Sequence, residues 1–188
     1  MVSIANPWMA LVAISAVAAC TGVSVGSGEN IHSPDIALRY TLSDANIFAA
    51  AGAPTVIHGA PVGGASAAEV AADLRLPAYL TPQTVSSVPS GTAGHRLELV
   101  FQPPSGTSGR SVCSGDVTGG VAGATTQVLA VFCRSENTVL GEAVLESAGD
   151  FSPGQPAFRT AMTRLIRTIM PLRSPFDQGE RGCRRTGC

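Results

Sequence analysis

Seven apolar residues, Phe158, Ala161, Met162, Leu165, Ile166, Ile169 and Met170, recur at i, i+3, i+4, i+7, i+8, i+11 and i+12. Only an α-helix brings that spacing onto one face, so the pattern predicts a helix of about four turns ended by Pro171. Its other side carries Arg159, Arg164 and Arg167 with Thr160, Thr163 and Thr168. Such a helix cannot stand alone, because its apolar stripe has to be buried against a second layer. The segment Gln127 to Cys133, with its continuous Val-Leu-Ala-Val-Phe run, supplies one: it predicts a central strand covered on both faces. Ser135-Glu-Asn137 is a turn signal and Thr138 to Ser147 alternates loosely, so residues 127 to 147 read as a hairpin.

The remaining elements follow from shorter patterns. Ile36, Leu38, Tyr40 and Leu42 alternate with Ala37, Arg39 and Thr41 and predict a half-buried strand. Ile47-Phe48 and the alanines after them suggest a short helix, and Thr55 to His58 a short strand. Ser66-Ala-Ala-Glu69 has the form of a capping box, followed by Val70, Ala71 and Leu74 at helical spacing, with Pro77 beyond. His95 to Gln102 predicts a strand with Leu97, Leu99 and Phe101 on one face and Arg96, Glu98 and Val100 on the other. Val112 and Cys113 suggest the start of another short strand, and the glycine-rich stretch from Gly115 to Gly123 a loop. The expected fold is α+β: a small antiparallel sheet of about four to five strands with two main helices packed on one face.

The N-terminus reads as an address. Residues 1 to 19 hold no charged side chain, and the apolar run from Trp8 to Ala19 is twelve residues long. As a helix it rises roughly 18 Å against a hydrocarbon core of about 30 Å, too short to span and suited to a signal-peptide core. Val17-Ala18-Ala19-Cys20 closes it. These four residues resemble the lipobox of bacterial lipoproteins, a likeness confined to residues 1 to about 22. The resemblance implies that Cys20 is lipidated and that the Ala19–Cys20 bond is cleaved. The protein would then be held at the bacterial cell envelope by a lipid anchor. Thr21 stands where an inner-membrane retention signal has Asp, which implies the outer membrane, facing the periplasm. The organisation expected is a signal peptide over 1–19, a flexible Gly/Ser-rich tether over 20–34, one domain over 35–172, and a cysteine-containing tail over 173–188.

Five cysteines are present. With Cys20 assigned to lipid, Cys113, Cys133, Cys183 and Cys188 remain, an even number that suggests disulfides in an exported chain. Three pairings are open. A hairpin-like return favours Cys113 with Cys133, and Cys183 and Cys188 are close enough in sequence to close on each other. Neither pair has zinc-cluster spacing, and His32, His58 and His95 are scattered, so no metal ligand is assigned.

All twelve basic residues are Arg. The absence of Lys removes Schiff-base chemistry, the P-loop lysine and the Ser-x-x-Lys nucleophile. A formal net charge of -1 gives no footing for a nucleic-acid partner. Gly22 to Gly26 matches G-x-S-x-G formally but lacks the strand before it and the helix after it. Gly59 to Ser66 precedes a helix start without a phosphate-binding motif, and Asp116 is alone in its glycine-rich loop. Glu142 and Glu146, at i and i+4 of a strand, stand about 13 Å apart, too far for a glycosidase pair. Arg159, Arg164 and Arg167 are candidates for contact with an anionic surface. No catalytic or cofactor-binding residue is assigned. The expected function is that of a non-enzymatic envelope lipoprotein that binds a protein partner or an envelope component, with a small periplasmic hydrolase as the alternative.

Overall fold

The computed structural model describes residues 28–178. In chain order the elements are β1 (Asn30–Ile36), α1 (Leu42–Ala50), β2 (Pro54–His58), α2 (Ala67–Asp73), β3 (Ser86–Ser87), β4 (Arg96–Phe101), α3 (Gly109–Cys113), β5 (Thr125–Ser135), β6 (Thr138–Ala148) and α4 (Pro156–Ile169), with a final 3₁₀ turn over Pro175–Gln178. The strands form one six-stranded sheet in the order β1-β6-β5-β4-β2-β3.

The expected hairpin is the middle of this sheet. β5 pairs with β6 from Thr125 opposite Ala148 to Ser135 opposite Thr138, and β4 lies antiparallel on its other side. The antiparallel sheet of four to five strands is corrected in two ways. The sheet is mixed, since β2 runs parallel to both β3 and β4. The reason is the connection: α2 and β3 lie between β2 and β4, and a long crossover of this kind returns the chain in the same direction. The sheet also has six strands, because β1 and the two-residue β3 close its edges.

The two faces are covered unequally. Leu97, Leu99, Phe101, Val128, Ala130, Phe132 and Leu145 share the main core with Phe48 of α1, Val70 of α2 and the apolar stripe of α4. Phe48 and Tyr40 both meet the Phe132 ring edge-on. The second face holds a smaller cluster of Val100, Leu129, Val131 and Cys133, capped by Val112 and Cys113 of α3. Three helices therefore lie on one face and the short α3 on the other, where two helices on one face were expected.

Four local expectations are corrected. The alternation from Ile36 to Leu42 is not a strand: β1 ends at Ile36, and α1 begins at Leu42. A reciprocal capping box stops the strand, with Asp44 N–H donating to Thr41 Oγ1 and Thr41 N–H to Asp44 Oδ2. β1 begins at Asn30, inside the stretch read as tether; its polar sequence, with Pro34 and a register shift between His32 and Asp35, suits an edge strand. Val112 and Cys113 are helical, because Ser108 caps a turn over Ser111. The tail from Arg173 continues as the 3₁₀ turn with Ser174 buried. The Ser66–Glu69 capping box of α2 and the face of α4 are as expected. No helix among the described residues is long and apolar enough to cross a membrane. The signal peptide, Cys20 and the Cys183–Cys188 pair lie outside the described residues.

Candidate functional site

The buried charges fall into three groups, each tying together elements far apart in sequence. The deepest lies on the second face. Arg96 and Glu98 alternate onto that face of β4, and each is 1% exposed. Arg96 Nε donates to Glu98 Oε1 at 2.6 Å, and His58 Nε2 donates to Glu98 Oε2 at 2.8 Å from the end of β2. The Arg96 guanidinium also donates to the carbonyl of Cys113, the last residue of α3. Cys113 is joined to Cys133 of β5 by a disulfide, with the Cα atoms 5.7 Å apart. Arg96 stands opposite Cys133 in the β4–β5 ladder, so the ion pair and the disulfide hold α3 to the sheet side by side.

The second group sits where β1 gives way to α1. Asp44 Oδ1 accepts from His95 Nε2 at 2.9 Å and from Arg134 Nη2 at 2.7 Å, while Oδ2 takes the Thr41 cap. Burial pushes the Asp44 carboxyl up, but the bonds from His95, Thr41 and Arg134 outweigh it and hold it below the usual carboxylate range. A shallow depression of about 210 Å³ adjoins this cluster, lined by Ala93, Gly94, Ser135, Glu136 and Asn137. The third group links α2 to α4: Asp73 accepts from the Arg159 guanidinium and from Gly154 N–H at 2.9 Å. Its carboxyl is likewise held low, with burial opposing and Arg159 and Gly154 prevailing.

The three arginines singled out on α4 are separated by these contacts. Arg159 is bound to Asp73, and Arg164 Nη1 lies 3.9 Å from Glu29 Oε2. Arg167 is exposed in the last turn of α4, near the half-buried Tyr79. Of the cysteines, Cys113 and Cys133 are brought together as expected. Glu142 and Glu146 both lie on the second face and have separate partners. Glu146 stands 3.4 Å from His32 and accepts from Gln127 Nε2 at 2.5 Å. Glu142 accepts from Gly109 N–H beside Asp35, and its carboxyl is pushed up by burial first and by Asp35 second. Asp116 accepts from Ser114 Oγ at 2.9 Å. No group of three or more metal-ligating side chains occurs among the described residues.

Sequence reading missed the roles of Asp44, His95, Arg134 and His58. Asp44 had a signal, the Thr41-x-x-Asp44 box. The others had none, since His95 and Arg134 meet Asp44 across 51 and 90 residues. No family model, no curated protein and no solved structure matches the chain.

Proposed function

We propose that this chain is an exported bacterial envelope lipoprotein, anchored through acylated Cys20, whose domain acts without catalysis as a binding or assembly module. The observation that carries this reading is the buried Cys113–Cys133 disulfide. Such bonds persist in oxidising compartments, in agreement with the export address in residues 1 to 20. The buried carboxylates support a non-enzymatic role. Glu98, Asp44 and Asp73 spend their lone pairs on His58, Arg96, His95, Arg134, Thr41, Arg159 and Gly154, and so serve as cross-links between elements. With Thr21 after the anchor, the outer membrane facing the periplasm is the proposed location. The anchoring partner is the membrane and the soluble partner an envelope component, with no part for nucleic acid.

The test is the intact mass of the protein purified from membranes, before and after reduction. A chain that begins at an acylated Cys20 and gains about 2 Da per reduced disulfide supports the reading. An unprocessed chain with free thiols overturns it. The alternative, a small periplasmic hydrolase, has one observation behind it: Asp44 orients the His95 imidazole beside the depression at Ser135, as a carboxylate orients a general base. Hydrolysis of an activated ester that is lost in His95→Ala, with the fold intact, would establish that reading instead.

A further inference from the structure

Among the described residues, three of the five exposed large apolar side chains are Leu38 (77%), Leu172 (50%) and Phe176 (46%). Leu38 and Leu172 belong to segments at one end of the sheet, the end opposite the one where the chain enters β1, and Phe176 follows Leu172 by four residues in the 3₁₀ turn. The ladder puts Ile36 across from Gly141 and closes the β5–β6 turn at Ser135 and Thr138. The end of α4 lies on Gly141, where a Cβ would overlap Ile169 O. Tyr40 Oη donates to Pro171 O at 2.7 Å, and Tyr79 Oη donates to Met170 O. The segment after β1 and the segment after α4 are thereby tied together, and each presents a leucine to solvent.

The charges interleaved with these side chains are mainly positive. Arg39 and Arg173 flank Leu38 and Leu172, and Arg167 is exposed on the last turn of α4 beside Tyr79. Arg134, which reaches Arg39 O at 3.3 Å, is held with His95 by Asp44. The other carboxylates nearby are Asp177, next to Phe176 in the 3₁₀ turn, Glu136, at the tip of the β5–β6 turn, and Asp35, on the second face beside Glu142. Beyond Gln178 the sequence adds Arg181, Arg184 and Arg185 against Glu180. Large apolar side chains set among arginines are the surface chemistry of a domain that meets anionic lipid.

The tether allows that contact. The eight Cα–Cα steps from Cys20 to Gly28 reach at most about 28 Å, and β1 is about 20 Å long. A domain anchored through Cys20 can therefore lie over and bring its far end to the same bilayer, at the high effective concentration that a short tether imposes. We propose that the end bearing Leu38, Leu172 and Phe176 with Arg39, Arg167 and Arg173 docks on an anionic lipid surface. The anchored domain then lies along the membrane instead of standing off it. This rests on the reading of Cys20 as the anchor.

The chain's one tryptophan is Trp8, so a Trp8→Phe background makes any introduced tryptophan a single reporter. The protein purified from membranes, its mass determined, is reconstituted into phosphatidylcholine vesicles with about one-third phosphatidylglycerol and a brominated-acyl quencher. Phe176→Trp is expected to lose about half its emission to the quencher. Val121→Trp, at the anchor-proximal end, is expected to keep its emission. Replacing Arg39, Arg167 and Arg173 with Gln should restore the Phe176→Trp emission. Absence of quenching at position 176 overturns the docking and leaves that end to a protein partner. Equal quenching at both positions, or quenching unaffected by the arginine replacements, overturns it too. An unacylated mass instead refutes the anchor, while position 176 still reports docking on added vesicles.

Discussion

Replacing Glu98 with Gln tests whether a buried charge holds the second face together. Glu98 accepts from Arg96 Nε at 2.6 Å and from His58 Nε2 at 2.8 Å. Without its charge, the Arg96 guanidinium keeps only neutral acceptors: one amide oxygen at position 98, shared with His58, and the carbonyls of Cys113 and Gly94. Breaking a buried ion pair from one side costs about 3–5 kcal/mol, because the surviving charge stays desolvated and unpaired. A domain of this size is stable by about 5–15 kcal/mol, so the loss is a large fraction of the total. With a urea m-value of about 2 kcal/mol/M, the unfolding midpoint falls by about 2 M at unchanged m. The double variant Arg96→Met/Glu98→Leu removes both charges. It is expected to be more stable than either single variant, since neither charge is left uncompensated. Hydrogen exchange at Val112 and Cys113 should accelerate in Glu98→Gln before global unfolding, because Arg96 is bound to the last carbonyl of α3. A Glu98→Gln midpoint within about 0.5 M of wild type, or a double variant whose loss equals the sum of the singles, would refute the reasoning.

Three further outcomes follow from other contacts. Replacing Cys113 and Cys133 with Ser opens a loop of 20 residues and should cost about 3 kcal/mol in the chain-entropy model, read by urea unfolding of the oxidised wild type against the variant. Gly119→Ala should cost about 2 kcal/mol or more in the same assay, because a Cβ there overlaps His58 O and Gly59 N where the glycine loop crosses the end of β2. Asp44→Asn should lower stability at pH 7 by about 1–3 kcal/mol, the bonds from His95 and Arg134 being to a charged acceptor. Because the folded carboxyl is held low, its contribution is present above the unfolded value of about 3.9 and is lost as pH falls through the lower folded value. The gap between Asp44→Asn and wild type should therefore close in strong acid, and a gap that persists there contradicts the assignment.

The sequence was most legible where one period ran long. The stripe of α4 and the doubly covered β5 are both as expected, since a long apolar repeat leaves the chain few ways to bury it. It was least legible where two local codes overlapped. From Ile36 to Leu42 the alternation is strand-like, yet Thr41 and Asp44 form a helix cap, and Leu38 turns out to solvent while Tyr40 is buried. β1 was hidden for a different reason. As an edge strand it is held by backbone pairing to β6, which leaves little trace in side-chain hydropathy. The candidate site was legible only in part. The 20-residue spacing of Cys113 and Cys133 around a strand marked a closable loop. The partners of Glu98, Asp44 and Asp73 come from other elements, and an isolated Asp or His in sequence carries no sign of what the fold will set beside it.

Glu142 completes the argument about the second face, because its sign is opposite to that of Asp44. It lies between Asp35 of β1 and Gly109 of α3, and a Cβ on Gly109 would overlap its Oε2, so the carboxylate fills the space that the glycine leaves. Burial raises its pKa, the Gly109 N–H bond lowers it and Asp35 raises it, with a net upward shift. A folded value above the unfolded one of about 4.3 means that the ionised group opposes folding at neutral pH. That penalty is relieved as pH falls through the folded value. Glu142→Gln keeps an acceptor for Gly109 N–H and removes the charge facing Asp35. It should raise stability at pH 7, with the gain shrinking to nothing as pH falls through the folded value toward the unfolded one. Thermal unfolding of both proteins across that range reads the difference. A variant less stable than wild type at every pH would mean that the charged bond to Gly109 outweighs both burial and Asp35. Glu142 would then join Glu98 as a cross-link holding α3 to the sheet.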